Sequence, residues 1–258
     1  MSKFIDKLNS VSQAVPRSMG FGSVQPVSLE PKLLLIANVT QDNVGRLSDY
    51  VGGADAGVLT ISDLSSGVKI LQQVCQSDPD IPWGGWLRDI DRRDIGQIVG
   101  VSADFVVFPA THTPLAILKN AEVGKILQVE ASLGEGLLRT VDELPVDAAL
   151  IAGEAEGEGF LTWHHLMLFQ HMVNLLTKPV LVRIPPKVTA GELQVLWEAG
   201  VDGVIVEVGA GQPKERLKRL RQVIDKLTFP PQRKRGKTGA LLPYVGKKSG
   251  IVAEEEEE

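Results

Sequence analysis

Charged side chains stand in or at the ends of short apolar runs along this 258-residue chain. Glu130 lies in KILQVEAS (125–132) and Glu154 closes DAALIAGE (147–154). Arg183 sits in KPVLVRIPP (178–186), and Glu207 in DGVIVEVG (202–209). A carboxylate facing a bound molecule can take or give a proton, and an arginine can grip a carboxylate or phosphate through its planar fork. Glu130 and Glu154 are therefore the candidate acid or base, with Arg183 as the candidate anion clamp. Asn38, in KLLLIANV (32–39), and Arg88, in IPWGGWLRD (81–89), are the candidate ligand-binding side chains. The run holding Glu207 ends in Gly209-Ala210-Gly211, which leads through Pro213 towards a helix. Strand, glycines and helix in that order suit an anion, but Glu207 brings a negative charge to the same place. An anion site there requires a neighbour such as Arg183 to neutralise Glu207.

These residues need a frame that brings distant strand ends together. Besides the six runs above, AGVLTIS (56–62) and ADFVVFPA (103–110) are apolar, which makes eight runs in all. Near-continuous apolarity implies burial on both faces, the mark of a parallel sheet. Amphipathic stretches such as LSSGVKILQQVCQ, LTWHHLMLFQHMVNLL, AGELQVLWEAG and PKERLKRLRQVIDKL lie between or after the runs and predict helices. Eight strand–helix units over residues 32–228 match an α/β fold of the (β/α)8, or TIM-like, barrel type. A doubly wound open sheet is the alternative. Its dinucleotide-binding form carries a glycine-rich turn after the first strand, whereas here that strand runs into ANVTQDNVG.

Strand side chains alternate in direction, so parity selects an inward set. Gln128, Glu130 and Ser132 share one parity, Arg183 goes with Leu181, and Glu207 goes with Ile205. The residues beside them, Val129, Val182, Val206 and Val208, are apolar and suit the helix-facing side. The same alternation turns Asn38, Ser62, Arg88 or Asp89, and Glu154 inward. His112, in PATHTP, falls in the loop after the fourth strand. The mouth of the barrel thus gathers Arg88 and Arg183 with Glu130, Glu154 and Glu207. That set is either a polar ligand pocket or a structural ion network, since buried charge needs a partner.

Two terminal segments flank the barrel. Residues 1–31 predict a short amphipathic helix and a loop, with Ser2 as N-cap and Phe4, Ile5, Leu8, Val11 and Val15 on one face. Docking on the body of the protein is expected for that helix. Residues 229–258 read as an extended or disordered charged tail, with RKRGK near its start and five glutamates at its end. Within it ALLPYV offers an apolar strip for the body or for a second subunit of a homo-oligomer.

Composition narrows the partners. A net charge of −5 provides no global basic field for nucleic acid. No apolar run approaches the roughly 18 residues of a membrane span. A single cysteine, Cys75, excludes an intrachain disulfide and points to a reducing cytoplasmic home, with the thiol read as a small buried hydrophobe.

Several chemistries fit poorly. Lys125 and Lys178 begin their strands, at the end opposite the mouth, so neither suits a Schiff base. No metal is expected, because strand one ends in Asn38 and Thr40 and no strand-end histidine pair exists. His164, His165 and His171 fall on the helix before strand seven and read as surface or interfacial residues.

Over KPVLVRIPPKVTAGELQVLWEAGVDGVIVEVGAGQP (178–213) the chain resembles the phosphate-binding (β/α)8-barrel superfamily. That group includes flavin-dependent oxidoreductases and enzymes of tryptophan, histidine and thiamine biosynthesis. The resemblance implies a phosphate on the loops after strands seven and eight, held by backbone N–H groups of Gly209, Ala210 and Gly211, with Pro213 opening the last helix. It implies a phosphorylated small molecule or FMN as ligand. The chain departs from the group after strand seven, where IPPKVTA replaces a glycine-rich turn. Two functional readings follow: a ligand-binding barrel with acid/base or flavin chemistry, or a non-catalytic scaffold using its N-terminal helix and tail.

Overall fold

The computed structural model describes residues 2–12, 33–88, 103–119, 122–152, 160–185, 187–209 and 215–227. Each of the eight apolar runs becomes a strand: β1 (Leu34–Thr40), β2 (Ala56–Ile61), β3 (Trp83–Leu87), β4 (Phe105–Pro109), β5 (Gly124–Glu130), β6 (Ala148–Ala152), β7 (Val180–Ile184) and β8 (Gly203–Val208). They pair in parallel, in sequence order, and β8 closes on β1. The sheet is a closed barrel, so the open doubly wound alternative is set aside.

Alternation divides the strand residues into two apolar layers. Leu35, Val106, Val129, Val182, Val204 and their like pack against the surrounding helices. Leu34, Ile36, Val58, Trp86, Phe105, Ile126, Leu150, Leu181 and Ile205 fill the barrel itself. At about 25 cal/mol per Å² of apolar surface buried, these two layers supply the main driving force for folding.

The outer helices include α2 (Leu47–Tyr50), α3 (Leu64–Ser77), α4 (Glu135–Thr140), α5 (Trp163–Leu175), α6 (Ala190–Glu198) and α7 (Arg216–Asp225). Their starts follow local chemistry. The Asp63 side chain accepts the Ser66 N–H at the head of α3. Thr162 and Thr189 form capping boxes at α5 and α6, with His165 and Glu192 as the reciprocal partners. The connections after β1, β4 and β5 are shorter helical turns that the sequence periodicity does not flag. Among the described residues, no helix is long and apolar enough to cross a membrane. Cys75 packs against the outer layer, and burial pushes its thiol up.

The N-terminal helix α1 (Lys3–Ser12) has the predicted Ser2 cap, whose hydroxyl accepts the Ile5 N–H. Phe4, Ile5, Leu8 and Val11 join the interior layer, not the surface, and the Phe4 ring lies 4.5 Å from that of Phe105. The helix closes the floor of the barrel, the end where the strands begin. A Cβ at Gly124 would stand 2.5 Å from Ile5, so glycine is what admits the helix there. Its apolar face is buried and is not offered to a partner or a membrane surface.

Four aspartates mark the same floor. Asp55, Asp104, Asp147 and Asp202 each precede an even-numbered strand, and each donates its N–H to a carbonyl at the start of the strand before. Three of the side chains complete the ring by accepting an N–H from that same earlier residue: Asp55 from Leu35, Asp147 from Lys125 and Asp202 from Val180. Asp104 departs. It accepts the Ser2 hydroxyl and the N–H groups of Lys3 and Phe4 at 2.7–2.8 Å, so its carboxylate holds the N-terminus of α1. Asp55 also pairs with Arg221 at 2.6 Å; burial raises its carboxyl, and the guanidinium partly offsets that.

Candidate functional site

The opposite end of the barrel is open and polar. Above the Ile36–Val58–Phe105–Ile126 level the inward residues become Asn38, Thr60, Trp86, Gln128, Arg183 and Glu207. Asn38 is buried, and its side-chain oxygen accepts the Thr60 hydroxyl at 2.7 Å. Trp86 reaches across β4 and donates its indole N–H to Gln128 at 2.8 Å. The indole forms a plate between the dry interior and the mouth.

Arg183 and Glu207 meet as parity predicts. Arg183 is in register with Ile205, which places Glu207 one inward step higher on the next strand. Arg183 Nη2 donates to Glu207 Oε2 at 2.8 Å. The two side chains remain 23% and 48% exposed, so the pair is open to water and does not plug the barrel. The Arg183 guanidinium also lies 6.0 Å from the Trp86 ring centre, at the outer edge of cation–π range.

A cavity of about 250 Å³ opens beside this pair. Trp86, Gln128, Pro109 and Leu150 form its inner walls, and Arg88 and Arg183 flank it. Among the described residues no carboxylate lines it. Asn38 is in register with Glu207 on β8 but does not line the cavity. Glu130 lies at the end of β5, exposed, with the Ser132 hydroxyl 3.5 Å away, outside the lining. Its strand has ended by Ser132, just as β2 ends before Ser62. Glu154, Ala210 and Gly211 lie outside the described residues, as do Asp89 and Pro213.

The turn after β8 begins at Gly209, whose φ of +152° and close approach to Asn43 both require glycine. A Cβ there would fall 2.2 Å from the Asn43 amide nitrogen, which itself donates to Thr40. The turn after β8 thus runs close against Asn43 in the turn after β1. Arg216, the first residue of α7, donates to the Pro185 carbonyl just after β7, and burial draws its guanidinium down from the usual arginine range. An arginine still stays charged at neutral pH. Arg216 therefore joins the loop after β7 to the head of the last helix.

Trp86 and Arg216 are the residues that sequence reasoning missed. Stepping back two positions from Arg88 reaches Trp86 by parity alone. Arg216 carries no comparable signal, because it sits within a basic stretch, PKERLKRLR, where most charges face water.

The excluded nucleophiles lie where expected. Lys125 Nζ donates to the Val123 carbonyl, and Lys178 Nζ to the carbonyls of Leu144 and Val146, all on the floor side. His112, His164 and His171 are exposed, whereas His165 is buried as the capping partner of Thr162.

No family model and no curated protein sequence matches the chain. Solved structures do. Thiamine phosphate pyrophosphorylase from Pyrococcus furiosus is 18% identical with a TM-score of 0.57, over 77% of this chain and 98% of that one. The tryptophan synthase α-subunit from Pyrococcus furiosus is 13% identical with a TM-score of 0.56, over 76% and 98%. Orotidine 5'-phosphate decarboxylase from Pyrococcus horikoshii is 15% identical with a TM-score of 0.56, over 73% and 98%. At such identities the likeness is one of fold: the chain has the (β/α)8 barrel of these enzymes, as the resemblance implied.

Proposed function

We propose that this protein binds a phosphorylated small molecule at the C-terminal mouth of its barrel. The observation that carries the reading is the cavity flanked by Arg88 and Arg183, with an indole plate beneath and no carboxylate in its described lining. Arg183 serves as the anion clamp, and Glu207 is neutralised by it. The proposed phosphate-binding stretch is Gly209, Ala210 and Gly211, as the resemblance implied, and Arg216 braces the neighbouring loop after β7. Asn38, held by the Thr60 hydroxyl, is a supporting polar group at the same end of the barrel. Glu130 or Glu154 supplies an acid or base if the bound molecule reacts.

Two of the similar structures are named for phosphate esters, which supports the ligand class. The cavity is small on the scale of ligand sites, which favours a phosphorylated metabolite over the larger FMN.

The test is a thermal-shift screen of phosphorylated metabolites and FMN, with native mass spectrometry of whatever co-purifies. A ligand present at a hundred times its Kd stabilises the fold by about 2.7 kcal/mol, a readily measured rise in Tm. The reading fails if no phosphorylated compound shifts the wild type, or if Arg183→Ala and Arg88→Ala leave a real shift unchanged.

A further inference from the structure

Gln128 is held in one orientation on the inner wall of the mouth cavity. Its side-chain oxygen accepts the Trp86 indole N–H at 2.8 Å. An indole nitrogen only donates, so the amide cannot turn round without losing that bond. Trp86 is itself buried in the barrel interior, which keeps its N–H in place. The Gln128 amide nitrogen therefore points away from the indole, and among the described residues nothing accepts from it. It is not sealed in the core either, because Gln128 is half-buried and lines the cavity. Its neighbours in register, Pro109 on β4 and Leu150 on β6, are apolar and supply no side-chain acceptor.

The remaining polar side chains of the lining are Arg88 and Arg183, which donate and carry positive charge. Among the described residues the lining has no hydroxyl, no histidine and no carboxylate. Its one side-chain acceptor, the Gln128 oxygen, is engaged by Trp86. A molecule held here must bring the acceptors itself. A hydroxyl brings a hydrogen that this wall does not receive, and a site with unpaired polar groups discriminates strongly. A carboxylate only accepts, has two oxygens for the two N–H bonds of one amide, and suits a wall with two guanidiniums. Resting on the phosphate-ester reading of the mouth, we infer that the bound molecule is a phosphorylated carboxylic acid whose carboxylate is taken by Gln128. The phosphate lies at Arg183, the carboxylate at the inner wall, and a short carbon skeleton between them packs on Trp86 and Leu150. Gln128 is a specificity residue: a neutral amide selects the acid and transfers no proton.

Titration calorimetry on the full chain compares two matched pairs: 2-phosphoglycolate with ethyl phosphate, and 3-phosphoglycerate with glycerol 3-phosphate. Within each pair the phosphate is shared and the carboxylate is present in one member alone. The acid is expected to bind at least ~10-fold more tightly in both pairs, the scale of a hydrogen bond to a charged group. Gln128→Glu keeps an oxygen for the Trp86 N–H but sets a carboxylate oxygen where the N–H groups stood. It is expected to abolish the preference or reverse it, with circular dichroism and Tm near wild type. Gln128→Met fills similar space without any N–H and is expected to abolish the preference as well, so the test does not depend on one variant folding. Arg183→Ala should weaken both members of a pair and leave the ratio between them. Equal binding of an acid and its partner overturns the inference and leaves the phosphate-ester reading in place. So does a preference that is lost in Arg183→Ala and kept in both Gln128 variants. Binding by none of the four compounds overturns both.

Discussion

The two ends of the barrel use charge in opposite ways. At the floor, each of the four aspartates accepts backbone N–H groups, and the remaining space is filled by Phe4, Ile5 and Leu8 from α1. At the mouth, Arg183 and Glu207 face each other in partial contact with water, beside a cavity. A carboxylate satisfied by fixed backbone donors is structural. One that faces an arginine beside open space can exchange partners when a ligand arrives. The position of a charge along its strand, more than its type, separates the two uses.

That contrast can be broken at each end. The largest effect belongs to the floor: Phe4→Ala removes a fully buried ring and is expected to cost about 3–5 kcal/mol in urea unfolding. Phosphate-ester binding by the fraction that stays folded should be unchanged. Next, Arg183→Ala should weaken phosphate-ester binding by about 1.5–3 kcal/mol, roughly ten- to a hundredfold in titration calorimetry, with little change in Tm. Asp104→Ala removes the carboxylate at the head of α1 and should cost about 1–2 kcal/mol. Its signature is faster hydrogen exchange in α1 with the mouth unaffected. The smallest effect is expected for Glu207→Gln. An exposed ion pair contributes about 0–1 kcal/mol to stability, so Tm should barely move. Anion affinity should rise a few-fold, because Arg183 loses its competing carboxylate. If Glu207→Gln instead weakens anion binding, the carboxylate has a positive role and the mouth is not a simple anion site.

Much of this was legible in the sequence because it depends on local alternation. Leu181 to Arg183 and Ile205 to Glu207 are two-residue steps, and parity turned both charges inward to meet. The eight strands followed from the same apolar runs. What was not legible depends on contacts between remote segments. Nothing in KFIDKLNS says which apolar surface receives Phe4, and that surface exists only once the strands have closed. The departure of Asp104 from its three counterparts was hidden for the same reason, since DFVV looks like DAGV, DAAL and DGVI. Arg216 acts through the Pro185 carbonyl, which belongs to another strand–helix unit. Glu130 shares the parity of Gln128, but alternation alone does not report that it is exposed at the strand end and outside the cavity lining.

The seating of α1 has a consequence for the order in which the molecule assembles. The N–H of Phe4 bonds to a carboxylate one hundred positions further along the chain, and the interior cluster that its ring joins draws on strands as distant as β8. Loops of that length close late, because their entropy must be spent before any contact rewards it. The helix α1 is therefore expected to be the last to lock. Until it does, a half-built barrel exposes Phe105 and Ile126 at an open floor, and the N-terminus serves as the latch that ends this sticky interval.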